Sequence, residues 1–573
     1  MSINYIPEKP SFKQLVLLNI QQLTNFPYIE KDFDALTDYQ LLSLVVDYLN
    51  QVIENNNLQN TTINQLYDSF VQLHDYVKNY FDNLDVQNEI NNKIDDLIDD
   101  GTFQQIINNY CEPILNELTE QIRATDAEVN RIASEIETPI QKLRKQYYNL
   151  YSNFHLPVAL NSYFDKLHLY RSNDKQNFKY NLTKEDMPFT TTVTKYVDTV
   201  NGSNSNDGST KALAYKTLTY GISQMAADTT FIICNDILYR NELPDTGRVI
   251  SYSMNVIPES GRCIFGAYDK LTWEQDSEYT NVYSASRSGV VNGVDIRGRE
   301  NGTFSQLQEV ETLQECAALK DSYYNNGARV YCNLGEEVTN EKVLFPLGIS
   351  NPPWKIESSS KELDLYFENI DFLCSNVGSF NILGNSSYSP ELRLYDCKVL
   401  FNQNSSTDGI SLRGSKGLFM NTTVSGNRKD GFNYHAASGV KSYGIEINCI
   451  GSNNGLGSSD TYNNGSTAHD GCQVIRINGN YFNNKGGNIA DVHDDTITIN
   501  INCNAYDSAA HSNNGSDTDF CAQQSGATLY LYNCFSKGSK SKYNLYAVAD
   551  DAYVYYDNCL FDTTQGDGVI ELQ

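Results

Sequence analysis

The sequence predicts a mainly β protein: a right-handed parallel β-helix preceded by an α-helical N-terminal domain and a short coiled coil. Three observations lead to it. Helical hydrophobic patterns fill about the first 150 residues, heptads begin at Leu115, and short apolar alternations between Gly, Asn, Asp and Ser clusters follow from about residue 190. The predicted domains are therefore 1–110 (helical), 111–155 (coiled coil), 156–190 (linker) and 191–573 (β-helix).

The composition of the 573-residue chain excludes several classes of protein. Hydrophobic residues make up 40% and charged residues 20%, which does not fit a disordered chain, and no run of ~18 apolar residues offers a membrane span. The 71 acidic and 42 basic residues give a net charge of -29, which repels a phosphate backbone, so we expect neither nucleic acid nor a membrane as a partner. The 13 cysteines include no CxxC pair, which argues against a disulfide framework and a structural zinc site.

Helix signals mark the N-terminal part of the chain. Thr37 and Gln40 precede the apolar run LLSLVVDYLNQVI with the spacing of a capping box, and Gly101 is placed to end a later helix. This part is therefore predicted to be helical.

Apolar residues then recur every seven positions, which is typical of a coiled coil. These positions are Leu115, Ile122, Val129, Ile136, Leu143 and Leu150. Isoleucine or valine at both seam positions shifts the preference from two strands toward three or more, so we predict a homotrimer. Pro139 should kink or end the helix, and an amphipathic helix packed on its own domain is the alternative.

An internal repeat of 24 to 31 residues starts near residue 365. Each repeat aligns a short strand on one Asn or Asp, and these residues are Asn369, Asp396, Asn421, Asn448, Asn478, Asn502, Asn533 and Asn558. Such a period indicates a solenoid of stacked coils, with the Asn side chains in a ladder. The cysteines that follow the turn are expected to pack in the core, and they are Cys397, Cys449, Cys503, Cys534 and Cys559. Residues 245–345 are either strands of early coils or a small inserted domain.

Two segments resemble known families. Residues 196–222, YVDTVNGSNSNDGSTKALAYKTLTYGI, are similar to the start of pectate-lyase-like β-helix domains, and residues 26–57 resemble the attachment region of tail and appendage proteins of phages of Gram-positive bacteria. The combination resembles the preneck appendage or tail-spike proteins of short-tailed phages. That resemblance implies a trimeric virion protein, assembled in the host cytoplasm and held to phage neck or collar proteins by residues 1–110. Its β-helix would bind, and in some members cleave, cell-wall teichoic acid.

Histidines cluster in the repeat region. Four of the seven fall within 77 residues, and they are His435, His469, His493 and His511. Carboxylates stand close to three of them, and these are Asp430, Asp470 and Asp491. Histidine can give and take a proton near neutral pH, and a neighbouring carboxylate orients it or balances its charge.

The repeat predicts that these histidines meet. Counted from the repeat Asn, His435 lies 14 residues on and His493 lies 15 residues on, so they occupy nearly the same edge, two coils or ~10 Å apart at ~4.8 Å per coil. The enlarged coil between them returns the chain at His469 and Asp470. Three coils are therefore expected to converge on one patch.

Strand alternation predicts which side chains point outward, with polar residues outward and apolar residues inward. In IADVHDD, Asp491 and His493 share a face, and in GFNYH, Asn433 and His435 share a face. A second alignment of the repeats places Arg413, His435 and Asp491 in one column. The two alignments differ by a residue or two, so the pairs stay open.

These residues suggest an acid/base groove. A His or Asp would activate water, a second acid would protonate the leaving oxygen, and an arginine would bind an anionic group. The predicted catalytic residues are Asp430, His435, His469, Asp470, Asp491 and His493. The predicted substrate-binding residues are Arg413, Arg476, Tyr434 and Asn433. The alternative is a ligand-free loop region with turn-forming Asp and surface His.

A divalent cation is a further hypothesis for this patch. Carboxylate and imidazole suit several such ions, so His469, Asp470, Asp491 and His493 could hold one. No spacing motif requires it, and we therefore assign no metal ligand and leave the cofactor open.

The acid surplus bears on the substrate. A polyanion would be repelled by a uniformly negative surface, so its binding would need local cations, bridging ions or recognition of its sugar and alanyl decorations. Basic residues flank the patch, and they are Lys416, Arg428, Lys429, Lys441 and Lys485.

We therefore expect a homotrimeric phage appendage or tail spike that engages the bacterial surface glycopolymer and cleaves it. By resemblance, the activity would be phosphodiester hydrolysis of wall teichoic acid. One alternative is a receptor-binding protein without catalysis, in which the same residues form a sugar-binding groove. The other is a polysaccharide lyase or glycosidase acting on capsule or exopolysaccharide.

Overall fold

The chain forms a parallel β-solenoid, as the repeat predicts, and the right hand of the helix stays a prediction. The computed structural model describes residues 151–572 apart from 245–249, 348–353, 358–360, 374–378, 403–407, 456–462, 509–517 and 541–542. No helix in these ranges is long and apolar enough to cross a membrane.

The predicted helical domain, 1–110, lies outside the described residues, and so does most of the predicted coiled coil, 111–155. Near its end, the structure differs from the prediction. Tyr151–Asn153 is a β-strand that pairs antiparallel with Tyr170–Ser172 instead of continuing a helix. The homotrimer expected from the heptads stays a prediction.

Three sheets of parallel strands, called sheets A, B and C in the order in which a coil visits them, make up the solenoid. Each strand pairs with its equivalent in the next coil, as Tyr443–Ile447 does with Gln473–Ile477. Because successive side chains of a strand alternate, one face of each sheet fills the interior and the other faces outward. Interior positions such as Phe367, Leu412 and Val474 are fully buried.

The sheets contain twelve, nine and nine strands. Sheet A consists of Val193–Val197, Thr229–Ile233, Met254–Pro258, Leu365–Glu368, Glu391–Tyr395, Lys416–Met420, Tyr443–Ile447, Gln473–Ile477, Ile497–Ile501, Thr528–Tyr532, Tyr553–Asp557 and Val569–Glu571. Sheet B consists of Ile237–Leu238, Cys263–Gly266, Ile370–Leu373, Lys398–Leu400, Thr423–Ser425, Ile450–Ser452, Asn480–Phe482, Asn504–Tyr506 and Phe535–Lys537. Sheet C consists of Trp354–Glu357, Phe380–Leu383, Ile410–Arg413, Phe432–His435, Ser466–Ala468, Ile489–Asp491, Phe520–Ala522, Leu545–Ala547 and Thr564–Gln565.

The repeated Asn or Asp turns the chain from sheet A into sheet B. All eight of these residues have φ between 50° and 55°, a left-handed conformation that Asn and Asp tolerate better than most side chains. Side-chain amides join Asn448 to Asn421, Asn478 to Asn448 and Asn502 to Asn478 at 3.0, 3.1 and 3.1 Å. The predicted asparagine ladder is confirmed over these coils.

The cysteines after this turn pack in the interior, as predicted. Four of them are buried, and they are Cys397, Cys449, Cys503 and Cys534, while Cys559 is partly buried. All five are free thiols. Burial raises the pKa of Cys449 well above its ordinary value, so the thiol stays protonated and inert.

Residues 156–190, predicted as a linker, instead cover the outer face of sheet A. Phe164 and Leu167 join Ile445, Ile475 and Ile499 in one apolar cluster. The elements of this segment are the 3₁₀ helices Ser162–Leu167 and Lys184–Asp186 and the strands Tyr170–Ser172 and Phe178–Lys179. In the central coils the outer face of sheet A carries apolar side chains such as Ile445 and Ile475, which is why this face needs a cover.

The segment similar to the start of β-helix domains does open the solenoid. Val193–Val197 is the first strand of sheet A, and the 3₁₀ helix Lys211–Leu213 and the α-helix Leu218–Ser223 follow it. Thr217 caps this α-helix by accepting a hydrogen bond from the backbone N–H of Tyr220.

Residues 267–347 form a small inserted domain, one of the two alternatives left open for this region. The strand of sheet B before it, Cys263–Gly266, pairs directly with the next strand of sheet B along the chain, Ile370–Leu373. The insertion has its own apolar core, which includes Ala285, Val330 and Phe345. Its elements are Glu274–Gln275, Tyr283–Ser286, Val294–Asp295, Arg299–Asn301, Ser305–Gln306, Gln308–Val310, the α-helix Leu313–Ala318, Ser322–Asn325, Arg329–Asn333 and Val343–Leu344.

Replacing Asn448 by Ala should destabilise the solenoid by about 1–3 kcal/mol, because it puts Ala in a left-handed turn and removes two ladder hydrogen bonds. Asn448→Gly, which relieves the backbone but also loses the bonds, should cost less. Urea unfolding of both variants measures this difference. Equal losses would show that the left-handed turn contributes nothing.

Candidate active site

Three histidines meet at the turns that lead from sheet C into sheet A. His435 ends the strand Phe432–His435, and His469 and His493 follow the equivalent strands of the next two coils. His469 is fixed to the coil before it because its N–H donates to the carbonyl of Tyr434 at 2.9 Å. The predicted convergence of three coils is therefore what the structure shows.

Asp470 joins two of these imidazoles. Its Oδ2 lies 3.0 Å from Nδ1 of His435, and its Oδ1 lies 2.7 Å from Nδ1 of His493. An ionised carboxylate only accepts hydrogen bonds, so both Nδ1 atoms carry a proton. The Nε2 atoms of His435 and His493 are then the nitrogens left for proton transfer.

His469 lies against both partners. Its ring stacks on His435 with centroids 4.2 Å apart and an interplanar angle of 13°, and its centroid is 5.5 Å from that of His493. Thr467 donates its hydroxyl proton to the carbonyl of Ala490, so it accepts a hydrogen bond from Nε2 of His469 at 3.1 Å. This assigns the proton to Nε2 and leaves Nδ1 of His469 as a buried acceptor without a partner.

The surroundings set the charge of the cluster. Burial lowers the pKa of His469 to about 3, and the neighbouring imidazoles add to that effect. Burial also lowers the pKa of His435, and the charge of Arg413 lowers it further against the opposing bond to Asp470. Partial burial alone would raise the pKa of Asp470, but its bonds with the two imidazoles lower it overall. At neutral pH the site therefore contains two neutral imidazoles beside a carboxylate.

The backbone is left-handed in two of these turns, which belong to successive coils. His493 has φ 74° and Asp470 has φ 58°. A non-glycine residue held there costs of order 1 kcal/mol or more, and such strain often accompanies functional positions. The turn is held by Thr496, which accepts from the N–H of Gly471 at 3.0 Å and donates to the carbonyl of Val492 at 2.8 Å.

Cationic side chains border the cluster. Arg413 is the direct partner of His435 in the adjacent strand. Within the described residues, its guanidinium forms no ion pair. The ammonium of Lys441 lies against Gly471, next to Asp470. The ammonium of Lys429 is close enough to His469 to contribute to lowering its pKa. These charges offset the acid surplus of the chain locally.

Asp430 and Asn433 are not exposed in a groove, contrary to the prediction. Both are buried, at 4% and 1% exposure. Asp430 accepts hydrogen bonds from Nδ2 of Asn433 at 3.1 Å and from the N–H of Asn464 at 2.6 Å. Asp430 therefore holds two neighbouring coils in place.

The prediction that Asp491 points outward is wrong. Its carboxylate lies in the interior, where it binds Arg476 through two hydrogen bonds of 3.0 and 3.1 Å and accepts the hydroxyl proton of Thr498 at 2.6 Å. It also accepts from the N–H of Ala468 at 2.9 Å, one residue before His469. Asp491 and the apolar Ile489 share the inward face, so the rule of polar residues outward failed here.

Arg476 and Tyr434, predicted to bind substrate, belong to the same interior network. Both are fully buried. Glu446, which sequence reasoning missed, accepts hydrogen bonds from the hydroxyls of Tyr434 at 2.9 Å and Tyr481 at 2.6 Å, and lies 3.7 Å from Nε of Arg476. The only sign of this interior network in the sequence is the position of Arg476 within an otherwise apolar strand.

The metal hypothesis finds no support in the arrangement of ligands. Within the described ranges, no three His, Cys, Asp or Glu side chains are grouped so as to hold a metal ion. Asp491, one of the four proposed ligands, is bound to Arg476.

Known structures resemble this fold only in part. No protein-family model and no curated protein matches the chain. Among solved structures, a glycoside hydrolase is 10% identical with a TM-score of 0.40, covering 66% of this chain and 96% of its own. Pectate lyase Pel9A is 10% identical with a TM-score of 0.29, covering 66% of this chain and 80% of its own.

A phage protein is also among the similar structures. The tailspike protein from Pseudomonas phage LKA1 is 10% identical with a TM-score of 0.23, covering 62% of this chain and 69% of its own.

Replacing Asp491 by Ala should destabilise the protein by about 3–5 kcal/mol, because Arg476 would keep a buried charge without its main partner. Asp494→Ala, at an exposed position three residues along, is the matched control and should change stability by less than about 0.5 kcal/mol. Chemical unfolding gives both values. A small loss for Asp491→Ala would contradict the role assigned to this ion pair.

Proposed function

We propose that this protein is a hydrolase that cleaves phosphodiester bonds in a polyol-phosphate polymer of the bacterial surface. The observation that carries the proposal is one carboxylate, Asp470, shared by two imidazoles at the solvent-facing rim of the solenoid. Two histidines oriented in this way can serve as base and acid for one displacement at phosphorus. Arg413, beside His435, would bind the non-bridging phosphate oxygens.

The proposed reaction uses water as the nucleophile. Neutral His435 takes a proton from water through Nε2 while the water oxygen attacks phosphorus. The bond from phosphorus to the bridging oxygen breaks, and this oxygen receives the Nε2 proton of His493, which must start the step as an imidazolium because its Nδ1 proton is donated to Asp470. Transfer of the proton from His435 to solvent and of one from solvent to His493 then restores the starting state. The products are a phosphomonoester and a free hydroxyl group. Asp470 stabilises the imidazolium that forms on His435, and the third imidazole, His469, packs against that ring.

Glycoside cleavage finds less support in this geometry. Most glycosidases use two carboxyl groups about 5–9.5 Å apart. Of the three carboxylates predicted for the site, Asp430 and Asp491 are buried and bonded within the protein, and only Asp470 faces solvent. Among the predicted residues, the acid and base groups at this rim are two imidazoles rather than two carboxyl groups, and this favours phosphoryl chemistry.

The identity of the polymer and the assembly are also part of the proposal. The sequence resemblance to short-tailed phage appendages suggests wall teichoic acid as substrate, a homotrimer in the virion, and attachment to neck or collar proteins through residues 1–110. The basic residues around the histidines support a polyanionic substrate, since the chain as a whole carries a net charge of -29.

An assay on purified polymers tests the proposal. Phosphodiester hydrolysis of wall teichoic acid shortens the polymer and creates phosphomonoester ends without new reducing ends. New reducing ends would indicate a glycosidase, and an unsaturated product would indicate a lyase. Tight binding with an unchanged polymer would leave an adhesin and overturn the proposed hydrolase.

His435→Ala should lower kcat/KM for the polymer by about 10²- to 10⁴-fold, because it removes the proposed base. The matched control is His155→Ala, an exposed histidine outside the cluster, which should keep full activity. Product release by both variants is compared with that by the unchanged protein. Equal activity of the two variants would remove His435 from the mechanism.

The pH profile should depend on Arg413. The pKa of His435 is lowered, so its neutral, basic form persists below pH 6.5 and the acidic limb of kcat/KM should lie below that value. Arg413→Gln removes a positive charge that lowers this pKa, so the limb should move to higher pH. Lys537→Gln, an exposed charge change in sheet B, should leave it in place. If the acidic limb of kcat/KM does not move in Arg413→Gln, the limb reports the titration of a group other than His435.

A further inference from the structure

Three cysteines stack in successive coils near the C-terminal end of the described solenoid. Cys503, Cys534 and Cys559 each follow an asparagine of the ladder between sheets A and B. The amide of Asn558 donates to Oδ1 of Asn533 at 3.0 Å, so the residues that follow these two asparagines are held in register. Cys534 and Cys559 therefore occupy equivalent positions in adjacent coils.

The spacing of the coils suits a bond between these two side chains. Neighbouring strands of a sheet lie ~4.8 Å apart, and the Cα atoms of a disulfide usually lie about 4.4–6.8 Å apart. The N–H of Cys534 donates to Sγ of Cys559 at 3.3 Å, and a hydrogen bond also joins the two thiol groups. A disulfide between them is therefore compatible with the stacking of the coils.

Exposure distinguishes the three cysteines. Cys503 and Cys534 are buried, at 0% and 3% exposure. Cys559 is partly exposed, and its chain neighbours Asn558 and Leu560 are exposed. The thiol of Cys534 is hydrogen-bonded to Cys503 as well as to Cys559, but oxidation by a molecule in solution has to start at a residue that solvent reaches. That residue is Cys559.

The protonation of the two thiols differs in the same sense. The hydrogen bond from the thiol of Cys534 lowers the pKa of Cys559, against the opposing effect of partial burial. Burial raises the pKa of Cys534 well above its ordinary value, so this thiol keeps its proton and donates it. Because the thiolate is the form that oxidants attack, Cys559 is the residue that reacts first and Cys534 is the partner beside it.

We infer that Cys559 and Cys534 form a redox-active pair, which hydrogen peroxide converts into a disulfide that ties two adjacent coils together. The thiolate of Cys559 attacks one peroxide oxygen, the O–O bond breaks, and hydroxide leaves a sulfenic acid on Cys559. The sulfur of Cys534 then attacks the sulfur of Cys559, and the S–O bond breaks. The departing hydroxide takes the proton of Cys534 and leaves as water. With the proton that Cys559 first gave to solvent, two thiols and one hydrogen peroxide yield one disulfide and two waters.

Peptide mapping of the full chain tests the inference. The folded protein is treated with hydrogen peroxide, its remaining thiols are blocked after unfolding, and its peptides are identified by mass spectrometry. A Cys534–Cys559 cross-link that dithiothreitol removes is expected. Cys559→Ala should abolish this cross-link, and Cys534→Ala should stop the reaction at a sulfenic acid on Cys559, which dimedone labels. The matched control is Cys234→Ser, which should leave the cross-link unchanged, because Cys234 is also partly exposed but burial raises its pKa to about 11.

Hydrogen exchange shows whether the disulfide ties the coils. Amides of the strand Tyr553–Asp557, which pairs with Thr528–Tyr532, should exchange about tenfold more slowly or less after oxidation, because the cross-link removes open conformations of this coil. Exchange at an unchanged rate would overturn the role in holding the coils.

The position of the cross-link is equally decisive. A Cys503–Cys534 cross-link, dimedone labelling that omits Cys559, or free thiols at both Cys534 and Cys559 after peroxide treatment would each overturn the pair. Should Cys534→Ala fail to fold, the cross-link and the exchange rates of the unchanged protein still decide the question.

Discussion

The in-register stacking of coils is the constraint on which the rest of this structure depends. Parallel pairing fixes each strand against its equivalent one coil away, and the left-handed Asn or Asp between sheets A and B resets the chain at the same point in each coil. Residues far apart in the chain therefore become neighbours at ~4.8 Å intervals. This repetition alone brings together His435, His469 and His493, because each of them ends or follows a strand of sheet C.

The interior contributes to the candidate site as well. Asp491 pairs with Arg476 inside the solenoid and at the same time accepts the N–H of Ala468, next to His469. Glu446 and its tyrosine partners complete a network in which the buried acceptors are hydrogen-bonded. The ion pair thus holds the backbone from which the buried imidazole of His469 and the exposed carboxylate of Asp470 project. A substitution at Asp470 and a substitution at Asp491 are for this reason different perturbations, since one changes an exposed side chain and the other its interior support.

The sequence was sufficient for the solenoid, the asparagine ladder and the meeting of His435, His469, Asp470 and His493, because all of these follow from the period of the repeat. It was not sufficient for the facing of Asp491, since a shift of one residue reverses inward and outward and the turns between sheets vary in length. Arg476 pairs with Asp491 inside the solenoid, so a charged side chain can face inward at this position. The cover formed by residues 156–190 also escaped prediction, because its short 3₁₀ helices leave no periodic pattern.

The inserted domain shows how tolerant this architecture is. The strands Cys263–Gly266 and Ile370–Leu373 of sheet B lie side by side although the coil between them contains a complete module with its own core. The entropic cost of closing a connection grows only slowly with its length, so the module affects the stability of the solenoid little more than a long loop would. A module at this position therefore leaves the stacking of the later coils unchanged, and with it the spacing of the three histidines.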